Sequence, residues 1–105
     1  MLACVCLNPS FDRTVSLRSF TAGDVNRVLS ARQDVGGKGI NVAITARRLG
    51  IASCVLGCAG KNGIDAVRRK LDGEQVTHVF LPVDGDVRTN MKIVPQDGTG
   101  VTELN

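Results

Sequence analysis

Short apolar runs and helical patterns alternate along this sequence of 105 residues. Three runs are short, largely apolar and typical of buried strands: residues 2–7, 53–56 and 76–82. Two segments repeat their apolar residues at helical spacing after a Gly-rich turn: residues 42–49 and 64–71. Buried strands that alternate with helices predict an α/β fold, with a parallel sheet that helices cover on both faces.

A second set of segments alternates polar and apolar residues, which is typical of half-exposed strands. These segments lie at 13–17, 25–29, 88–94 and 101–104. The last two flank a Gly-rich turn and form a predicted hairpin. Because none of the four has the buried pattern of the central sheet, we expect a small second sheet, with lid strands at about 13–29 and 88–104 inserted on the α/β core.

The composition limits the classes of partner. The chain has 13 Lys and Arg against 10 Asp and Glu, and it has neither Trp nor Tyr. Without these aromatic platforms for bases to stack on, single-stranded nucleic-acid binding is disfavoured. No apolar run approaches the roughly 20 residues that span a bilayer, and no basic segment precedes an apolar run at the N-terminus. We therefore expect a cytoplasmic protein with no nucleic-acid or membrane partner.

Four cysteines occur as two pairs, Cys4 with Cys6 and Cys54 with Cys58, on apolar segments. Two pairs of thiols could hold a zinc ion. However, the Cys-x-Cys spacing is tighter than that of usual structural zinc sites, and the one histidine, His78, lies outside both pairs. Free cysteines are also among the most buried residue types. We therefore expect four reduced cysteines that serve as small core residues.

A carboxylate follows the first predicted strand, in the segment Asn8-Pro9-Ser10-Phe11-Asp12. Ligands of α/β proteins collect at the carboxyl ends of the parallel strands, so Asp12 is expected where a ligand binds. An ionised Asp accepts hydrogen bonds at two oxygens and can hold two neighbouring hydroxyls of a sugar. A solvated turn residue is the alternative interpretation of Asp12.

A glycine-rich turn, Gly36-Gly37-Lys38-Gly39, leads into the first predicted helix. Free backbone N–H groups at a helix start let a polar ligand approach the main chain. A Walker loop needs Gly six residues before its Lys and Ser or Thr after it, but this chain has Arg32 and Gly39 there. A nucleotide-phosphate role is therefore disfavoured. The amide of Asn41 suits a sugar hydroxyl or, alternatively, the backbone at the helix start.

Charged and polar residues share one face of the predicted hairpin. Arg88 and Asn90 are two residues apart, so they point to the same side of a strand, and Glu103 lies on the expected partner strand. A guanidinium matches a phosphate bidentately, so this face could cap an anionic substrate. Ordinary surface charge is the alternative.

Four motifs in a fixed order resemble the N-terminal part of the ribokinase-like, pfkB-type carbohydrate kinases. They span essentially the whole chain: Leu-Asn-Pro-Ser-Phe-Asp at 7–12, Val-Asn-Arg-Val at 25–28, Gly-Gly-Lys-Gly-Ile-Asn-Val-Ala at 36–43 and Arg-Thr-Asn at 88–90. The glycine-rich motif is fairly specific to this family, whereas Asn-Pro-x-x-Asp alone is not. Within the family, the sequence is most similar to the kinases of phosphorylated ketohexoses.

The resemblance implies a ribokinase-like parallel sheet with a small lid, and phosphoryl transfer from ATP, with Mg²⁺, to a ketohexose phosphate. The implied conversion is that of fructose 1-phosphate to fructose 1,6-bisphosphate, with tagatose 6-phosphate and fructose 6-phosphate as alternative substrates. Residues that the resemblance and the patterns above assign to sugar and phosphate binding are Asp12, Gly36, Gly37, Lys38, Asn41, Arg88, Asn90, Arg27 and Glu103. Such kinases commonly pair their lid strands between subunits, which also implies a homodimer.

Two departures from the family pattern concern a turn and the nucleotide site. The turn Gly60-Lys61-Asn62-Gly63 lacks the acidic residue that the family has at position 62. The Gly-Ala-Gly-Asp-type turn, which supplies the general base and the anion hole in the family, does not occur in this sequence. We therefore expect the sugar site and lid of a kinase without its ATP-binding part, inactive alone, with an unpaired sheet edge that favours association. A module that senses sugar phosphates without turnover is the alternative function.

Overall fold

The computed structural model describes all 105 residues and contains seven strands and two helices. In chain order these are β1 (Leu2–Cys6), β2 (Ser10–Leu17), β3 (Val28–Gly36), α1 (Lys38–Arg48), β4 (Ser53–Asn62), α2 (Ile64–Gly73), β5 (Thr77–Asp86), β6 (Arg88–Pro95) and β7 (Thr102–Leu104). The chain divides into two units. The first contains Met1–Ser10 and Val35–Arg88, and the second contains Phe11–Asp34 and Thr89–Asn105.

A parallel sheet of three strands, in the order β1-β4-β5, forms the centre of the first unit. Helix α1 packs on β1 and β4, and helix α2 packs on β4 and β5. Cys4, Val55 and Phe80 lie on the buried side of the sheet. The buried helix residues of the same core are Ile40 of α1 and Val67 and Leu71 of α2. The predicted α/β class with a parallel sheet is confirmed.

Only one face of this sheet is covered within the described residues, so the prediction of helices on both faces is wrong here. Val5, Leu56 and Val79 are in register across the three strands, and 64%, 45% and 56% of their surfaces are exposed. Their neighbours along the strands have the opposite orientation, and most of them are buried: Cys4, Cys6, Val55 and Phe80. Both helices therefore pack on the same face, and the other face is apolar and open.

A glycine flanks helix α1 at each end. Gly37 precedes its first residue at φ 134°, and Gly50 follows its end at φ 86°, where a side chain would be strained. Arg47 and Arg48 lie in the last turn, as the pattern predicted, where positive charge stabilises the helix dipole. The hydroxyl of Ser53 donates a 2.7 Å hydrogen bond to the carbonyl of Ala43 and ties α1 to β4.

The ends of the two helices are joined by charged and polar side chains. Arg48 forms a hydrogen-bonded ion pair with Glu74, and Lys70 lies 3.5 Å from the same carboxylate. The hydrogen bond from Arg48 holds the pKa of Glu74 below its ordinary value, and the pair raises the pKa of Arg48. Beside it, Arg47 donates to the side chain and backbone carbonyl of Gln75, which has φ 58°. These contacts link α1 to the segment that follows α2.

The second unit is a four-stranded sheet in the order β3-β2-β6-β7. Val15, Leu17 and Ile93 form its buried cluster, and the backbone N–H of Gln96 donates to the carbonyl of Leu17 at 2.8 Å. Strands β6 and β7 pair antiparallel, with Lys92 opposite Glu103. The predicted hairpin and the separate small sheet are therefore present.

Several strand boundaries differ from the sequence-based expectation. The strand expected at 25–29 begins at Val28 and continues to Gly36, and β2 begins at Ser10, three residues before the predicted start. Strand β4 was expected to end at Leu56 before a Gly-rich turn, but it continues to Asn62. Gly57 and Gly60 lie against neighbouring backbone, so these glycines allow close strand approach rather than a turn. No helix is long and apolar enough to span a bilayer.

Candidate functional site

Asp12 and Asn90 are brought together on neighbouring strands of the second unit. The sequence analysis expected Asp12 in the segment just beyond the end of the first strand. That expectation is wrong, because Asp12 lies within β2. The side-chain amide of Asn90 on β6 donates a hydrogen bond of 3.2 Å to Oδ1 of Asp12. Both side chains are partly buried, and the strand backbone fixes their direction. The pair presents carboxylate oxygens beside an amide, which is a suitable combination for hydroxyl groups.

Glu103 lies on β7, beside the face of β6 that carries Asn90. It lies opposite Lys92, and the Lys92 ammonium is 3.5 Å from its carboxylate. Lys92 is two residues beyond Asn90, so the face carries a cation that the sequence analysis did not single out. The alternation of residues 88, 90 and 92 could have identified it. Glu103 is therefore engaged with Lys92, and its contribution to a ligand site would be made through that pair.

Arg27 lies in a polar loop of the second unit, before β3. Arg18 and Arg27 both line a pocket of about 470 Å³ there. The loop is shaped by Asn26, whose side chain accepts from the backbone N–H of Thr21 at 2.8 Å and donates to the carbonyl of Thr21 at 2.9 Å. Two guanidinium groups around one polar pocket can accept an anion, although Asp24 also lines it.

The glycine-rich segment of the first unit lies directly on β1. Gly36 ends β3, and Gly37 precedes α1 at φ 134°. A Cβ atom on Gly37 would lie 2.9 Å from the Cys6 sulfur, and one on Gly39 would overlap the carbonyl oxygen of Val5. No other residue fits these positions without displacing the strand. The segment thus brings the half-buried Gly37 and Gly39 and the start of α1 to the carboxyl end of β1, where ligands of α/β sheets collect.

Lys38 and Asn41 occupy the first turn of α1. Lys38 is exposed, and the backbone N–H of Asn41 donates to the carbonyl of Gly37 at 2.9 Å. The side chain of Asn41 is exposed and lines a groove of about 380 Å³ along α1. The remaining lining of this groove is largely apolar: Val42, Thr45, Ala46, Leu49 and Ile51.

Cys6 is a component of this region that sequence reasoning treated only as a core residue. Cys6 is 5% exposed, and its sulfur would lie 2.9 Å from a Cβ atom placed on Gly37. Burial raises the pKa of the Cys6 thiol, while the backbone N–H groups of Asn8 and Ile40 and the charge of Arg88 act in the opposite direction. Cys6 therefore connects the end of β1 to the start of α1, and Arg88 lies within electrostatic range of it.

The cysteines do not form a metal centre in the structure. All four are free, and Cys58 donates a 3.5 Å contact to the carbonyl of Leu7. No three His, Cys, Asp or Glu side chains lie together in a group that could hold a metal ion. His78 instead pairs with Asp72 at 2.7 Å and lies near the Phe80 ring.

The predicted residues thus fall into two sets, one in each unit. Gly36, Gly37, Lys38, Asn41 and Arg88 belong to the first unit, and the second unit holds Asp12, Arg27, Asn90 and Glu103. Within these sets the structure shows the glycine segment at the end of β1 and the Asp12–Asn90 pair.

A comparison with models of protein families identifies the family of this chain. Residues 6–105 match the model of the pfkB family carbohydrate kinases. The chain belongs to the pfkB family. The resemblance read from the four sequence motifs is thereby confirmed, and so is the ribokinase-like character of the fold.

Relatives of this pfkB-family chain are similar over nearly its whole length. It is 38% identical over 104 residues to 1-phosphofructokinase of Rhodobacter capsulatus, covering 99% of the chain and 33% of that protein. It is 37% identical over 101 residues to 1-phosphofructokinase of Bacillus subtilis, covering 96% of the chain and 33% of that protein. The chain therefore spans about a third of the length of the curated relatives that it matches.

Solved structures give the same result for the fold. A Staphylococcus aureus protein described as a phosphofructokinase superimposes with a TM-score of 0.88 at 31% identity, covering 100% of this chain and 33% of that one. Phosphofructokinase-2 of Escherichia coli, solved with substrates and products, superimposes with a TM-score of 0.89 at 20% identity. That match covers 99% of this chain and 34% of the other. The second likeness concerns the fold alone.

Proposed function

We propose that this pfkB-family chain supplies the sugar site and lid of a kinase that converts fructose 1-phosphate to fructose 1,6-bisphosphate. The observation that carries the proposal is the identity of 38% and 37% with two 1-phosphofructokinases across almost the whole chain. Tagatose 6-phosphate is the alternative substrate, because it differs from fructose 1-phosphate mainly in where the phosphate and the hydroxyls lie.

Sugar hydroxyls would bind to Asp12 and to the glycine-rich segment. The carboxylate of Asp12, oriented by the 3.2 Å hydrogen bond from Asn90, can accept bonds from two neighbouring hydroxyls. Gly37 is half-buried and carries no side chain that would keep a ligand from its main chain, and the exposed amide of Asn41 can donate and accept. Gly36 is buried and would support the segment from beneath. Fixed donors and acceptors of this kind accelerate phosphoryl transfer by holding the attacking hydroxyl in position.

The phosphate already present on the sugar would bind to the cationic residues. Arg88 offers a planar guanidinium that matches two phosphate oxygens, and Arg27 and Lys38 add positive charge. Glu103 would act through its ion pair with Lys92, keeping that ammonium directed along the face of β6. Such contacts favour a phosphorylated sugar over a neutral one, which accounts for the substrate class.

ATP and Mg²⁺ have no fitting residues among these 105. The glycine-rich segment lacks the Walker spacing, and no acidic group is arranged for a cation. In the proposed enzyme, ATP supplies the transferred phosphoryl group, and parts of the kinase outside this sequence hold it. We assign no catalytic base to this chain, which would be inactive without those parts. Such a kinase would act in the cytoplasm.

A homodimer through the lid strands is part of the proposal. The second unit is a four-stranded sheet with β3 and β7 at its edges, and most residues of β3 are exposed. A structure of Escherichia coli phosphofructokinase-2 represents a tetrameric inhibited form, so fold relatives of this chain do assemble. An exposed sheet of this kind is suited to pairing with a second copy.

The test measures ligand binding to the full chain in two ways, by thermal unfolding and by calorimetry. Fructose 1-phosphate, tagatose 6-phosphate, fructose 6-phosphate, fructose and ATP are added separately, since a ligand of the native state raises the melting temperature. We expect a shift with fructose 1-phosphate that exceeds that of fructose, and none with ATP. A shift with ATP alone, or equal shifts with the phosphorylated and neutral sugars, would contradict the proposal.

A further inference from the structure

The carboxyl ends of β4 and β5 are joined by three residues: Asn62, Asp86 and Val87. The side-chain amide of Asn62 donates a hydrogen bond of 2.8 Å to Oδ1 of Asp86. The backbone carbonyl of Asn62 accepts a second hydrogen bond, of 3.0 Å, from the N–H of Val87. One residue at the end of β4 thus holds two consecutive residues at the end of β5. We call these three residues the clasp.

Two glycines allow the strands to approach at this point. A Cβ atom on Gly60 would lie 2.5 Å from the carbonyl oxygen of Gly85, so only glycine fits at position 60. Gly85 itself has φ 109°, which disfavours any side chain there. The pairing register shifts between Gly60 and Asn62, which brings Asn62 opposite Asp86. The backbone part of the clasp is therefore built into the pairing of the two strands, and the exposed side chains of Asn62 and Asp86 add a hydrogen bond to it.

Arg88 follows the clasp directly. Val87 is 6% exposed, so the residue before Arg88 is fixed both by its buried side chain and by the hydrogen bond of its N–H group. Asp86 and Val87 line a small pocket together with Asn8 and Pro9, which follow β1, so the residue before Arg88 lies beside the end of the first strand. The clasp thus fixes the backbone at Val87, immediately before Arg88 begins β6.

We propose that Asn62 and Asp86 are positioning residues that orient Arg88 toward the phosphate of the substrate. The inference rests on the proposed function, since it assigns phosphate binding to Arg88. An aspartate at position 62 would face the carboxylate of Asp86, and two like charges at hydrogen-bond distance repel each other. Asn62 and Asp86 therefore work as a matched pair.

A charge exchange tests the pair. In the full chain, the single variant Asn62→Asp places two carboxylates next to each other, at positions 62 and 86. The double variant Asn62→Asp with Asp86→Asn again has one amide and one carboxylate, in exchanged positions. Dissociation constants are measured by calorimetry for fructose 1-phosphate and by NMR titration for fructose. We expect Asn62→Asp to weaken fructose 1-phosphate binding about threefold to tenfold, the effect of one such hydrogen bond. Fructose binding should change less than twofold, and the double variant should recover most of the loss.

Lys61→Gln is the matched control, because it removes the neighbouring ion pair of Lys61 with Asp84 and leaves the clasp intact. Melting temperatures and amide exchange of Val87 are recorded for every variant. Equal weakening of both sugars, no recovery in the double variant, or unchanged binding by Asn62→Asp would overturn the inference.

A wild-type chain that binds no sugar phosphate would contradict the proposed function, and the clasp is then judged by a readout without ligand. The N–H group of Val87, which donates to the carbonyl of Asn62, reports on the backbone just before Arg88. Asn62→Ala, which adds no charge, should speed the hydrogen exchange of the Val87 amide, as followed by NMR. An exchange rate identical to that of the wild type would show that the Asn62 side chain does not hold this backbone in place.

Discussion

Asn90 on β6 donates a hydrogen bond of 3.2 Å to the carboxylate of Asp12 on β2, although 78 residues separate them in the sequence. The two strands are neighbours in the sheet of the second unit. An amide that fixes one carboxylate oxygen also fixes the direction of the other, which makes Asp12 a directional acceptor. The structure thus unites two residues that the sequence analysis had assigned to separate motifs.

Asp12→Asn should weaken sugar-phosphate binding and leave the fold intact. The amide has one acceptor oxygen in place of two and adds an N–H group that faces the donor on Asn90. We expect fructose 1-phosphate to bind at least about tenfold more weakly by calorimetry, since hydrogen bonds to a charged group contribute about 1.5–3 kcal/mol. Asp34→Asn, on exposed β3, is the control and should bind as the wild type does. Equal affinities for both variants would remove Asp12 from the site.

Alanine substitutions at two helical glycines should change the free energy of unfolding in opposite directions. Gly39→Ala places a Cβ atom against the Val5 carbonyl, so the start of α1 must move away from β1. We expect it to lower the free energy of unfolding by about 1–3 kcal/mol, as overpacking does. Gly73→Ala, at the end of α2 in open space, should be neutral or raise it by up to about 1 kcal/mol. Urea unfolding followed by circular dichroism measures both, and a neutral Gly39→Ala would contradict the close approach of α1 to β1.

The ion pair of Arg48 with Glu74 predicts a loss of stability in acid. Because the folded state lowers the pKa of Glu74, it binds fewer protons there than the unfolded chain does. The pair stabilises the fold at pH values above the ordinary glutamate pKa of about 4.3, and this contribution is lost as the pH falls through the lowered folded value. The measurement is the free energy of unfolding from pH 6 to about pH 3. Glu74→Gln should be less stable than the wild type at pH 6, and the difference should shrink in acid.

The elements that local patterns specify were predictable. Helix α1 has apolar residues at helical spacing and ends before Gly50, as predicted, but it begins at Lys38, four residues before the predicted start at 42. The buried run of β1 and the hairpin of β6 and β7 are equally local. The family resemblance added the proposed binding roles of residues such as Gly36, Gly37 and Arg27, which no periodicity contains.

Features that depend on distant partners were not predictable. Residues 30–34 of β3 are all exposed and have no apolar alternation, so only pairing with β2 makes them a strand. Gly57 and Gly60 have the composition of a turn, but they lie inside β4 because other backbone passes close to them. Likewise, nothing in the sequence joins Asn62 to Asp86. In each case, the deciding contact is made with a residue far along the chain.

The open face of the parallel sheet predicts self-association of the chain. Val5, Leu56 and Val79 are aligned across the sheet and exposed, and β1 and β5 are its unpaired edges. A continuous apolar surface in water favours contact with another such surface. Sedimentation velocity should therefore show species larger than the monomer that grow with concentration. Val79→Lys places a charge in the middle of this face and should shift the distribution toward monomer. Val25→Lys, on an exposed loop of the second unit, is the control and should leave it unchanged. A concentration-independent monomer for the wild-type chain would contradict this prediction.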